Sequence, residues 1–235
     1  LRFTGLDLKP LWTDELLTAL FATGHSPIDL PLDVVFAPAD IAALLAFDPT
    51  ETCPQIAGTV ARESTHPPLF FCLMHGWLHW LEPLSASLAW QLRSLPAMLG
   101  VLAIGAMYAL NRVAFSPTAG LAAAALMAVS PFCVYLSQES RHYTLPLLLI
   151  TLALLGLVQI QARLCQDRQV SIGLWLGWGL VNSLGLYVHY FFLLAYVAQL
   201  ATLLSGWVWM KMGRLTPFPP PQKPRSIAAY FPLFI

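Results

Sequence analysis

The chain has 235 residues, 57% of them hydrophobic and 10% charged, with a mean hydropathy of +0.66. That is too apolar for an ordinary soluble domain and indicates a membrane protein. Twelve Lys and Arg balance twelve Asp and Glu, which leaves no basic surplus to hold a nucleic-acid backbone, so nucleic acid is not an expected partner.

Ten of the twelve acidic residues fall in the first 92 positions. Within this region Thr13-Asp14-Glu15 precedes an apolar run. It reads as a helix start, with Thr13 as N-cap and two acids at the positive end of the helix dipole. The same carboxylates suit general-base chemistry, because a carboxyl held at a water–lipid boundary rises in pKa and can accept a proton from an attacking hydroxyl. Further on, Glu63 and His66 stand three residues apart, just ahead of Pro67-Pro68. They are candidate ligands for a divalent metal, although prolines in a first turn after polar residues are also ordinary helix-start grammar. Residues 67–84 are apolar but carry His75 and His79. A full crossing there would invert every later loop, so the segment is expected to be interfacial or re-entrant. The one-turn spacing of its histidines marks an amphipathic face rather than a cofactor site.

Residues 94–110, 117–136, 143–162, 170–188 and 191–210 are each uncharged and apolar inside, close to the roughly 20 residues a crossing needs. The last two run together, which predicts a tight hairpin at His189 and Tyr190. If the spans alternate, Arg112, Arg163, Arg168, Lys211, Arg214, Lys223 and Arg225 share one face, which is then cytoplasmic. Region 1–92, Arg93, the 137–142 turn and the hairpin occupy the opposite face. Arg93 by itself could simply snorkel to the headgroups. Ser137-Gln138-Glu139-Ser140-Arg141-His142-Tyr143 brings a second arginine to the side that arginines avoid. Two arginines accompanied by an acid suggest an anion-binding site, with a plain Glu139–Arg141 pair as the alternative. His189 and Tyr190 also fit an interfacial aromatic belt.

The Pro-rich residues 216–225 read as a cytoplasmic linker, and 226–235 as the start of a further span, so the chain is expected to be a piece of something longer. Four widely spaced cysteines without a CxxC pair predict neither a zinc ribbon nor a disulfide framework; they read as small apolar residues. The fold class is all-α: a five-helix transmembrane bundle over 93–215, with interfacial helices in the 1–92 loop.

Trp12-Thr13-Asp14-Glu15, His66-Pro67-Pro68-Leu69, Arg93-Ser94-Leu95-Pro96, Ser130-Pro131-Phe132, the 137–143 segment and Tyr187 to Phe192 together resemble the GT-C polytopic glycosyltransferases, in the bacterial protein-mannosyltransferase-like branch called glycosyltransferase family 39. The resemblance implies a multi-pass protein of the bacterial plasma membrane that moves a sugar from a polyprenyl-phosphate donor to an extracytoplasmic acceptor, with inversion. It implies Asp14, beside Glu15, as the catalytic carboxylate, and Arg93, Arg141, Gln138, Glu139 and Tyr143 as the lipid-phosphate site. Glu63, His66, His189 and Tyr190 would position substrate, and Glu63 and His66 would be the ligands if a divalent metal is used; no cofactor is required by the resemblance.

The rival classes are a polytopic transporter and a non-catalytic lipid-binding subunit. A transporter lines its path with ionisable groups, whereas here they gather at one face.

Overall fold

A computed structural model describes residues 1–30, 33–35 and 37–211. Among them every regular element is helical: α1 (Thr13–Thr23), a 3-10 turn (Pro27–Asp29), α2 (Pro38–Leu44), α3 (Cys53–Glu63), α4 (Leu69–Leu81), α5 (Leu88–Ala114), α6 (Pro117–Val129), α7 (Pro131–Ser137), α8 (Thr144–Cys165), α9 (Ile172–Val188) and α10 (Phe192–Lys211). The expected linker at 216–225 and further span at 226–235 lie outside the described residues, as do Arg214, Lys223 and Arg225.

The protein is an all-α polytopic membrane protein. Among the described residues two helices, α5 with 27 residues and α8 with 22, are long and apolar enough to cross a bilayer, and α6 with α7 makes a third if taken as one span. That pair occupies the segment expected to be one crossing, and it bends by 63° between its two helices. The break has a local cause. Pro131 cannot donate to the preceding turn, and the Ser130 hydroxyl accepts the Cys133 N–H, capping a new helix. Helix α9 and the Phe192–Val208 stretch of α10 are apolar but shorter. Leu121, Leu154, Leu180, Leu194 and Leu204 point outward and exposed, as lipid-facing side chains do.

Helix α5 packs against α6 and α8, and α8 against α9. Backbone comes close between α5 and α6: a Cβ on Gly120 would lie 2.8 Å from the Tyr108 carbonyl oxygen, which cannot yield. Between α9 and α10, the Trp178 indole donates to Gln199 (2.9 Å), Gln199 to Asn182 (3.0 Å), and Asn182 to the Trp178 carbonyl (2.8 Å). This buried network closes on itself, satisfying polar groups that lipid could not. The helices are joined at His189 and Tyr190, where the hairpin was predicted.

The loop helices are not a separate layer. Ala19 and Ala22 of α1, Phe70, Met74 and Leu78 of α4, Leu92 and Leu95 of α5, and Leu145 and Leu148 of α8 form one core. Helix α4, with 13 residues, is shorter than the roughly 17 a crossing needs. Helix α1 ends at Gly24, whose φ of 94° lies in the left-handed region that glycine adopts without strain. Its start differs slightly from the expected one: Trp12 is the N-cap, Thr13 is the first helical residue, and Glu15 takes the Trp12 N–H.

One expectation is overturned. Cys53 and Cys72 are bonded, with Cα atoms 5.0 Å apart, tying α3 to α4. The 19-residue separation carries no spacing signal; packing of the two helices brings the residues together. Cys133 and Cys165 are free and half-buried, as small apolar residues would be.

Candidate functional site

The adjacent carboxylates of α1 point to different partners. Glu15 is fully buried; its Oε1 accepts from Arg93 Nε (2.9 Å) and the Ser140 N–H (2.8 Å), and its Oε2 accepts from Arg93 Nη2 (2.6 Å). The remaining Arg93 hydrogens go to the carbonyls of Leu6 (2.6 Å), Lys9 (2.8 Å) and Pro10 (3.0 Å). A guanidinium has five N–H donors, and here all of them are engaged within the protein. Arg93 therefore has no donor left for the phosphate contact expected of it; it fastens the loop to α5. Burial alone would raise the Glu15 carboxyl, but hydrogen bonds from Arg93 and Ser140 outweigh that and hold it below its ordinary value.

Asp14, one residue earlier, remains available: its side chain is 40% exposed. Together with Glu63, His66 and Arg141 it lines a cavity of about 330 Å³. Arg141 Nη1 donates to the Asp14 carbonyl and the Thr18 hydroxyl, both at 3.2 Å, and Nη2 lies 3.7 Å from Asp14 Oδ2. Among the described residues the buried Arg141 Nε–H has no hydrogen-bond partner, and neither do the hydroxyls of Ser140 and of Thr144 at the start of α8. A buried donor on a cation costs free energy until something accepts from it. Arg141, unlike Arg93, thus keeps one N–H without a partner among the described residues.

Of the other expected residues, Gln138 donates to the carbonyls of Leu1 (3.1 Å) and Thr4 (3.0 Å), tethering the N-terminal segment. Glu139 is buried beside the Tyr135 hydroxyl. The Tyr143 ring centroid lies 5.9 Å from the Arg141 guanidinium carbon. Glu63 accepts from Ser26 Oγ at 2.5 Å and lines the same cavity as His66, while the group of metal-ligating side chains found among the described residues joins His66 to His142 and His189. His66 instead meets His142 and His189, with ring centroids 4.9 Å and 6.1 Å away. His66, His189 and the exposed Tyr190 line a second cavity of about 250 Å³, which shares Thr65 and His66 with the first. Burial, with Arg141 adding to it, pushes His142 down to about 3 and lowers His66 as well, so both rings are neutral at neutral pH.

A family described as dolichyl-phosphate-mannose-protein mannosyltransferase matches residues 65–215, more than half of the chain. The chain belongs to this family. As a mannosyltransferase-family protein it is a membrane glycosyltransferase of the GT-C type. Comparison with curated proteins and with solved structures gave no match. The part matched to the mannosyltransferase family takes in His66, Arg93, Arg141, His142 and His189, whereas Asp14, Glu15 and Glu63 precede it.

Sequence reasoning had not singled out His142 of this family member as a site residue, although it stands beside Arg141. Its adjacency to Arg141 was the available signal. Nor had Arg2, which donates to Ser137 Oγ (3.1 Å) and the Met127 carbonyl (2.9 Å) and so secures the N-terminal segment to α6 and α7.

The depressed Glu15 carboxyl predicts a pH response. Its contribution to stability is complete above its ordinary value of 4.5 and is lost as pH falls through the lower folded value. Thermal unfolding in detergent, followed from about pH 6 to about pH 3, should show a falling Tm. Glu15→Gln should flatten that fall, and an unchanged slope would contradict the assignment.

Proposed function

We propose that this glycosyltransferase takes a sugar from a polyprenyl-phosphate donor and transfers it to a hydroxyl or comparable acceptor on the extracytoplasmic side, by a single inverting displacement. The observation that carries the reading is the pairing of Asp14 with Arg141 across one cavity, with Arg141 holding an unused buried N–H. Asp14 accepts the acceptor's proton as its oxygen attacks the anomeric carbon. The bond from that carbon to the phosphate oxygen breaks, and the lipid phosphate leaves with growing negative charge. Arg141 meets that charge, an interaction that strengthens in the transition state and so accelerates the step. Attack from the face opposite the leaving group inverts the configuration.

Three features support the side and the donor. The family's description names a lipid-phosphate sugar, dolichyl-phosphate mannose. The Cys53–Cys72 bond lies in the 1–92 region that also supplies Asp14, and disulfides persist in oxidising compartments. Taking α5, α6–α7, α8, α9 and α10 as five crossings sets Arg112, Arg163 and Arg168 at the end opposite Asp14, in keeping with the positive-inside rule. Under this reading residues 1–92 form the extracytoplasmic loop, and the bundle runs from Arg93 of α5 through the described end of α10 at Lys211. Glu15 and Arg93 hold the frame, while Glu63, His189 and Tyr190 border the space where substrate is positioned.

The test is transfer of radiolabelled sugar from polyprenyl-phosphate donors by the full chain in membranes, with product analysis. Arg141→Ala should raise the donor KM and lower the rate of donor use by about tenfold or more, with little effect on acceptor KM. An effect confined to the acceptor would remove Arg141 from the phosphate.

A further inference from the structure

We propose that His66, His142 and His189 form a binding site for one divalent transition-metal cation of the zinc type. The ligand atoms of the three side chains all lie within 4.8 Å of one another. They come from three separate segments: the link between α3 and α4, the turn before α8, and the hairpin between α9 and α10. Centroids of the His142 and His189 rings are 5.0 Å apart.

Ring packing alone does not account for this set. His142 is 4% exposed, and no hydrogen bond to either of its ring nitrogens occurs among the described residues. A nearly buried imidazole is held less cheaply than a phenylalanine would be in the same place, and a metal ion would give its nitrogen a partner. His66 is prepared for one. Its Nδ1 lies 3.3 Å from Ser64 Oγ, and when it donates there, Nε2 carries a free lone pair, the usual arrangement of a metal-ligating histidine. His189 needs a movement: its Nδ1 accepts the Phe191 N–H at 3.2 Å, so the ring must turn before Nδ1 can carry the proton that ligation through Nε2 requires. Three nitrogens around zinc at about 2.0–2.1 Å lie about 3.3 Å apart, so the cluster closes modestly onto the ion.

The donor set selects the metal. Three imidazoles suit zinc, copper, nickel or iron, while magnesium and calcium want oxygen. Three protein ligands also leave a tetrahedral ion one open position, and His66 lines both cavities from which it can be filled. A dication here stands beside Arg141, which immediately precedes His142, and at the edge of the cavity that His66 lines together with Asp14 and Arg141. The open position therefore favours an anionic oxygen. That this oxygen belongs to the donor phosphate rests on the proposed function; the binding of the ion does not.

Cobalt is the probe. The detergent-purified full chain, stripped with EDTA, should take up one Co²⁺ per molecule, with the strong visible absorption of a tetrahedral site, and Zn²⁺ should bleach it. His142→Ala and His66→Gln should each weaken Co²⁺ binding by about tenfold or more, and His79→Ala, at an exposed position outside the cluster, should leave it unchanged. Unfolding curves identify any variant that fails to fold, and His66→Gln, at a half-buried position, still decides the matter if His142→Ala is lost. No Co²⁺ uptake by the folded protein, or uptake that ignores both cluster variants, overturns the site. Co²⁺ bound by a chain that transfers no sugar from polyprenyl phosphate leaves the site standing and removes the proposed function.

Discussion

Asp14→Asn should lower sugar transfer by about a hundred- to ten-thousand-fold, the range that a positioned general base contributes, while leaving binding of the lipid-phosphate donor nearly intact. Asparagine keeps the size of the side chain and its place at the start of α1, but it cannot take a proton. The distinction depends on what each carboxylate touches. Asp14 is 40% exposed to the cavity and only 3.7 Å from an arginine that is itself incompletely partnered, whereas Glu15 is fully buried and held by Arg93 and Ser140. Transfer measured with radiolabelled donor, alongside donor retention measured on the same membranes, separates the chemical step from binding. Transfer that survives the substitution would eliminate Asp14 as the base, and loss of donor binding would make its role one of arranging Arg141.

Arg93→Ala should be the most destabilising single change, by about 3–5 kcal/mol, the cost of leaving a buried ion unpaired. The charge left behind is the Glu15 carboxylate, with no exposed surface. The carbonyls of Leu6, Lys9 and Pro10 lose their donors at the same time. Arg93→Lys should recover only part of the loss, since one ammonium with three donors cannot reach five acceptors spread around a planar fork. Unfolding in detergent reads both variants. A loss below about 1 kcal/mol for Arg93→Ala, the level of an exposed pair, would refute the structural role and return Arg93 to the substrate.

Composition and hydropathy determined the class of this protein without reference to contacts. The apolar stretches around α5 and α8, the hairpin at His189 and Tyr190, and the helix start at Asp14-Glu15 were legible because membrane spans and helix starts are written in local runs of residues. The shape of the 117–136 segment was half-legible. Its apolar length was plain, but the Ser130-Pro131 pair was read as motif rather than as the place where α6 gives way to α7.

The division of labour within the site came only from tertiary structure. Asp14 and Glu15 are neighbours with the same chemistry, and Arg93 and Arg141 are both arginines on the expected face; what separates them is which groups lie within hydrogen-bonding distance, and every decisive partner is at least 78 residues away in the chain. The Cys53–Cys72 bond and the meeting of His142 with His66 and His189 have the same origin. Local sequence fixes where a helix begins and whether it prefers lipid. Pairing of charges, thiols and imidazoles depends on the packing of helices remote in sequence, and no spacing rule encodes it.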